Sequence, residues 1–205
     1  MNGHSYLRAM HQTPDTKTNI RRAALRLFAE RGYSAVSMRE LAEAVGMRQG
    51  GLYNHFPGKQ ALLVDLMETH ILALLQALQE AMEGREGPED RFRAFVRNHV
   101  AYHLDFPDDV FLAYMEIRSL EPENRARIVA LRDSYEAVLR DILMKGQADG
   151  LFRIDDAAVF SRMLLSMMTG ATVWYREGGR LSRDEVVACY LKGALQCVGL
   201  MEDAP

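Results

Sequence analysis

Arg48 and Gln49 stand side by side in the run Arg48-Gln49-Gly50-Gly51-Leu52-Tyr53-Asn54-His55. A guanidinium forks onto O6 and N7 of guanine, and a glutamine amide pairs with adenine, so this pair has the chemistry to read base edges in a major groove. Tyr53, Asn54, His55 and Lys59 carry donors suited to phosphate oxygens, as do Thr18, Ser37 and Arg39 upstream. A second grouping is His99 and His103, whose i, i+4 spacing puts two imidazoles on one helix face with Asp105 close by. Two imidazoles do not make a metal site, so they read as an ordinary helix-face or pocket-lining pair and no metal is assigned. No glycine-rich phosphate loop or nucleophile elbow follows residue 60, so no catalytic residue, no cofactor and no enzymatic activity are expected.

Those side chains need elements to hold them, and the apolar periodicity supplies helices almost throughout. Ile20, Ala24, Leu27 and Phe28 repeat at helical spacing up to Gly32, with Asp15 or Thr16 as the cap. Ser37 and Glu40 have capping-box spacing, and Met38, Leu41, Ala42 and Val45 follow on one face before Gly46. Leu52, Tyr53 and Phe56 make a second short apolar face, ended by Pro57-Gly58. Two short helices joined by a tight glycine-containing turn form a helix-turn-helix. Lys59 to about Glu83 reads as one long helix, with Leu63, Met67, Ile71, Leu74, Leu78 and Met82 as its stripe. Further helices are expected at 89–105, 108–120, 123–148, 155–177 and 182–200. No strand pattern or internal repeat interrupts them, so the fold class is all-α.

Charge separates the two ends of the chain. Residues 1–60 hold nine Lys/Arg against four Asp/Glu, a balance of +5, which leaves −8 on the remainder of a chain whose net charge is −3. A basic head on an acidic body suits phosphate binding by one end. The hydrophobic fraction of 48% and mean hydropathy of −0.18 describe a globular protein with enough apolar residues for a real core. No stretch approaches ~18 consecutive apolar residues and no basic, then apolar, leader opens the chain, so neither a membrane partner nor secretion is expected, and the location is cytoplasmic. Cys189 and Cys197 lie eight residues apart, ~12 Å along a helix and too far to bridge; they read as reduced, mostly buried thiols.

Residues 37–62 resemble the DNA-binding signature of the tetracycline-repressor family. The likeness begins at Ala24-Leu25-Arg26-Leu27-Phe28-Ala29-Glu30-Arg31-Gly32-Tyr33, runs through Leu41-Ala42 and Val45-Gly46, and closes on Gly50-x-Leu52-Tyr53-x-His55-Phe56-x-x-Lys59-x-x-Leu62. After residues 1–14, which have no apolar period, end in Thr13-Pro14 and read as a flexible tail, it implies a three-helix DNA-binding domain at 15–58 and a larger helical ligand-binding and dimerisation domain at 59–205. It also implies double-stranded operator DNA as partner, read by Arg48, Gln49 and Gly50 with phosphate contacts from Thr18, Ser37, Arg39, Tyr53, Asn54, His55 and Lys59. The family usually places Ser or Thr where this chain has Arg48, so the recognition helix lacks its customary cap. Gly50-Gly51 adds ~1 kcal/mol of cost per glycine against Ala. Either the backbone approaches DNA there, or the helix is frayed without DNA, or Gly51 fills a small space.

The same resemblance implies a homodimer in which the last two helices pack against their copies. Phe160, Leu164, Met167, Ala171 and Trp174 form one stripe and Val187, Leu191, Ala194 and Val198 another, while Val159, Met163, Met168 and Tyr190 leave apolar surface on further faces. Helices apolar on more than one face need two partners, and charged residues at Leu191 or Val198 are expected to give monomers. An effector pocket is implied inside the body, lined by Leu63, Met67, Phe92, Phe95, Val96, His99, Tyr102, His103, Phe111, Tyr114, Met115, Tyr135 and Trp174. The segments 150–153 and 174–182 resemble members that regulate fatty-acid, steroid or other acyl-coenzyme A catabolism. The expected effector is therefore a small apolar molecule, as an acyl or steroid-like acid or its coenzyme A thioester, that releases a repressor from a palindromic operator by shifting the long helix. The rival reading is an activator or architectural DNA-binding protein with no small-molecule effector.

Overall fold

The computed structural model describes residues 15–200, and no strand occurs among them. The tail expected at 1–14 lies outside the described residues. The fold is all-α. Helices α1 (Thr16–Arg31), α2 (Met38–Ala44) and α3 (Gln49–His55) precede the long α4 (Lys59–Met82); α5 (Pro88–Asp105), α6 (Pro107–Met115), α7 (Pro122–Ala148), α8 (Ala157–Thr169), α9 (Ala171–Trp174) and α10 (Arg183–Cys197) follow. Two 3-10 turns, Tyr33–Ala35 and Glu116–Ser119, were not visible in the periodicity. The helix expected at 108–120 tightens into the second of them, and the one expected at 155–177 breaks at Gly170 and stops at Trp174.

Contacts sort the chain into two compact units, one holding the residues up to Ala73 with Asp108–Leu131, the other Leu74–Pro107 with Arg132 onward. In the first, Ile20, Ala24 and Phe28 of α1, Leu41 and Ala42 of α2, and Leu52 of α3 close a small core beside Leu62, Leu63 and Met67 of α4. In the second, α5 is the hub, packing against α8, α9 and α10. Its core joins Phe92, Phe95, Val96 and Val100 to Leu139, Leu143, Leu164, Met168, Leu191, Leu195 and Val198. By length and composition α4 is apolar enough to cross a membrane. Its apolar residues are instead spent on the interior: Leu62, Leu63, Met67 and Ile71 are buried in the first unit, Leu74 and Leu78 in the second.

Local chemistry sets the ends of these helices. Ser37 and Glu40 make the expected capping box: the Ser37 hydroxyl accepts from the Glu40 amide at 3.2 Å, and Glu40 accepts from the Ser37 amide at 2.8 Å. Asp156 caps α8 by accepting from Ala158 and Val159, and Ser182 with Glu185 repeats the box at α10. Gly46, at φ +67°, makes the turn after α2 that a side chain would strain.

Helix α8 has two apolar faces. Ala157, Ser161, Leu164 and Met168 point into the core, while Val159, Met163 and Met167, spaced by four, are exposed. On α10 the expected interface residues fall on the inner side. Leu191, Ala194 and Val198 are buried within the second unit, in the same core as Val186 and Leu195, where α10 packs on α5. Cys189 and Cys197 are exposed, correcting the expectation that they are mostly buried.

Candidate nucleic-acid interface and effector core

Helix α3 is anchored by one side and presents the other. Leu52 and Phe56 are buried, whereas Arg48, Gln49, Gly50, Tyr53, Asn54 and His55 are all exposed. Arg48 is the N-cap but makes no capping hydrogen bond with its side chain, so the departure from Ser/Thr leaves a guanidinium at the start of this face. Arg39 on α2 is also exposed, 3.5 Å from the equally exposed Glu43, and Thr18 lies half-buried on α1. This is the set that sequence reading assigned to DNA, and the fold leaves most of it outward.

Two assigned residues have prior commitments. The Ser37 hydroxyl is engaged with Glu40, whose carboxyl is held down to about 2 by hydrogen bonds from the Ser37 hydroxyl and amide and from Arg31. A carboxylate with a lowered folded pKa stabilises above its ordinary value near 4.5 and loses that contribution only as pH falls toward 2, so this cap is intact at neutral pH. Lys59 turns inward: its Nζ donates to the carbonyls of Tyr33 and Val36, both at 2.7 Å, and sits 4.1 Å from the Tyr33 ring centre. Burial pushes its pKa below the usual lysine value, against the pull of Glu116 and Glu40. Its first task is to hold the chain that enters α2.

The two glycines of α3 differ. A Cβ on Gly51 would come within 3.2 Å of the Met47 Cε, whereas one on Gly50 would meet nothing within 4 Å. The protein itself gives Gly50 no steric reason to be glycine. Gly50→Ala is therefore expected to stabilise the head, by about 1 kcal/mol, while weakening DNA binding if the backbone approaches DNA there. Chemical denaturation and DNA titration of one preparation check this; a variant more stable with unchanged affinity would leave Gly50 no part at the interface.

Of the residues assigned to the effector, the second unit gathers Phe95, His99, His103 and Tyr135. His99 and His103 are both 1% exposed, with stacked rings 3.8 Å apart between centres, and Phe95 stacks on His99 at 6.0 Å. His99 Nδ1 lies 3.1 Å from the Tyr135 hydroxyl, and Nε2 lies 3.2 Å from the Thr169 hydroxyl. Tyr135, which sequence reading also placed in the lining, and Thr169 are functional candidates of this cluster; Thr169 gave no signal in the sequence. Tyr102 packs on Phe106 at 4.6 Å, and Trp174 lies half-exposed against Tyr190, 3.2 Å from Nε1 to the hydroxyl. In the first unit Leu63 and Met67 are fully buried, while Phe111, Tyr114 and Met115 of α6 are exposed. No group of three or more metal-binding side chains occurs among the described residues.

A helix-turn-helix with an outward recognition helix, built into an all-helical chain, defines a DNA-binding regulator. Residues 20–66 match the bacterial regulatory proteins of the tetR family, and residues 85–198 match the tetracyclin repressor-like C-terminal domain. The chain belongs to the tetracycline-repressor family, and it is a DNA-binding transcriptional regulator, not an enzyme. It is 28% identical over 178 residues to the HTH-type transcriptional repressor KstR2 of Rhodococcus jostii (strain RHA1), covering 85% of this chain and 87% of that one. It is 32% identical over 173 residues to the HTH-type transcriptional activator FasR of Mycolicibacterium smegmatis, covering 80% and 74%. Among solved structures, AibR in complex with isovaleryl coenzyme A and operator DNA superposes with a TM-score of 0.80 at 26% identity, covering 87% of this chain and 97% of AibR.

Proposed function

We propose that this chain is a cytoplasmic homodimeric repressor that sits on a palindromic operator and leaves it when an apolar acyl ligand, as its coenzyme A thioester, binds the helical body. The observation that carries the DNA half is the α3 surface: Arg48, Gln49, Tyr53, Asn54 and His55 are exposed while Leu52 and Phe56 lock the helix in place. Arg48 and Gln49 read bases, and Tyr53, Asn54, His55 and Arg39 hold phosphates. One short helix reads too few bases for useful specificity, so two copies are needed, about one helical turn of DNA apart. The outer face of α8, with Val159, Met163 and Met167, is the surface that pairs them.

The effector half rests on AibR, whose complex holds isovaleryl coenzyme A, and on the buried cluster of this chain's second unit. A set of imidazoles and hydroxyls inside an aromatic core orients a ligand that is otherwise apolar. Asn98, next to His99 in the sequence of α5, has a buried side-chain nitrogen with no hydrogen-bond partner among the described residues, and a ligand carbonyl would supply one.

Selection of duplexes from a random pool by the purified protein tests the first half of this reading. Enrichment of an inverted repeat is the expected result, with half-site centres 10–10.5 base pairs apart or a multiple of that. A single unrepeated motif, or no enrichment, would contradict it. The second reading, an activator, has FasR in its favour, and a reporter carrying the selected site upstream of a promoter separates the two by the sign of its response.

A further inference from the structure

Cys189, Gly193 and Cys197 follow one another at four-residue steps along α10, so they form one row on its surface. We propose that this row crosses its own copy at Gly193, that each Cys189 there meets the partner's Cys197, and that oxidation joins the two subunits through a pair of disulfides. The pairing rests on the proposed homodimer. Both thiols are exposed, whereas Val186, Leu191, Ala194 and Leu195 hold α10 in the core of its own subunit. Gly193 lies inside a 15-residue helix, where glycine costs about 1 kcal/mol against alanine. A Cβ there would meet nothing within 4 Å. The subunit by itself gives Gly193 no steric reason to be glycine, and the close approach of a second helix backbone supplies one.

Two-fold symmetry decides which residues then meet. Where two copies of one helix cross antiparallel about a two-fold axis, a residue some positions before the crossing lies beside the partner's residue the same number after it. Cys189 lies four positions before Gly193 and Cys197 four after it, so one crossing point matches every cysteine with a cysteine. Rows of this spacing interlock where helices cross at about −50°. With no side chain at the crossing, Cα atoms about 6 Å along each helix from it come within the Cα separation of about 4.4–6.8 Å that a disulfide needs. Within one subunit the same thiols are ~12 Å apart along the helix and do not bridge.

Hydrogen peroxide is the oxidant. One thiolate attacks a peroxide oxygen, the O–O bond breaks, and a sulfenic acid forms while the departing hydroxide takes up the thiol's proton as water. The facing thiol attacks the sulfenic sulfur, the S–S bond forms, and the S–O bond breaks to release a second water. Each disulfide thus takes two electrons from two thiols and reduces one peroxide to two waters. In a reducing cytoplasm such a bond is transient, and while it lasts the dimer no longer dissociates on dilution.

The test treats the full-length protein with hydrogen peroxide, blocks the remaining thiols with N-ethylmaleimide, and separates the products by denaturing electrophoresis without reductant. The wild type is expected to run as a covalent dimer that dithiothreitol returns to monomer. Cys189→Ser and Cys197→Ser are each expected to lower the covalent dimer at least tenfold, because either change removes one member of both pairs. Mixed and allowed to exchange subunits, the two variants regain it, since the mixed dimer keeps one Cys189 facing one Cys197. Gly193→Leu, which the single subunit has room for, is expected to weaken dimerisation tenfold or more. A single-serine variant that cross-links as well as the wild type means that like cysteines meet, and overturns the crossing at Gly193. A wild type that sediments as a dimer yet gives no covalent product overturns it too. A wild type that sediments as a monomer removes the dimer itself, and the pairing with it.

Discussion

Met163→Asp is expected to turn the dimer into monomers and to lower operator affinity at least 100-fold, a loss of about 2.7 kcal/mol. Met163 is 57% exposed in the single chain and lies between Val159 and Met167 on the outer face of α8, so the fold of one subunit has little need of it. At a two-fold interface one substitution places two carboxylates in the same apolar contact, and a buried unpaired charge costs several kcal/mol. The monomers keep a folded head but engage one half-site at a time. Leu191→Asp makes the contrast. Leu191 is 3% exposed inside the second unit, so its charge is buried whether or not a partner is present, and the expected outcome is unfolding. Sedimentation with circular dichroism distinguishes the two. A Met163→Asp protein that still sediments as a dimer moves the interface elsewhere.

The second large effect is on base reading. Each bidentate contact to the correct base contributes about 1 to 3 kcal/mol of discrimination, so the Arg48→Ala, Gln49→Ala double variant is expected to lose roughly 30-fold to roughly 20,000-fold of its preference for operator over random DNA. Its residual binding is nonspecific and retains a steep salt dependence, because phosphate contacts remain. Lys59→Met behaves differently. With its ammonium on two backbone carbonyls, its loss lowers the thermal midpoint of the protein and weakens all DNA alike, through the head's own packing. Titrations with operator and random duplexes at several salt concentrations separate these patterns. Equal loss on both duplexes for the Arg48, Gln49 variant would remove those residues from base reading.

The parts of this structure that were legible in the sequence are those set by neighbours along the chain. Ser37 and Glu40 announce their cap because both partners lie within one turn, and Leu52 with Phe56 marks the buried side of α3 by spacing alone. That α8 is apolar on two faces could be read the same way, but spacing grouped Met167 with Leu164 and Met168 with Met163, and the structure exchanges the two: Met168 is buried and Met167 exposed. Which face of α10 turns inward could not, since Leu191 and Val198 are apolar enough for either a core or an interface, and only packing against α5 decides. Long-range pairings were invisible for a different reason. Glu116 looks like one more solvated charge until the Tyr33 amide, 83 residues away, is placed on it. Lys59 looks like a phosphate ligand beside a recognition helix until its carbonyl partners, 26 and 23 residues earlier, are known. The cluster around His99 was half legible: the histidine pair stood out by its spacing and Tyr135 was placed in the same lining, but Thr169 comes from a helix whose order along the chain says nothing of its meeting His99.

The most direct test of the account is titration of one preparation with isovaleryl and longer-chain acyl-coenzyme A esters, their free acids and coenzyme A itself, with operator binding followed by fluorescence anisotropy. At least one thioester is expected to weaken operator binding about 100-fold, which corresponds to about 2.7 kcal/mol of coupling. Operator must then weaken binding of that thioester by the same factor, because linkage is symmetric. Thioesters that bind equally well with and without operator, or operator affinity that stays constant across the whole series, would contradict a repressor released by an acyl ligand.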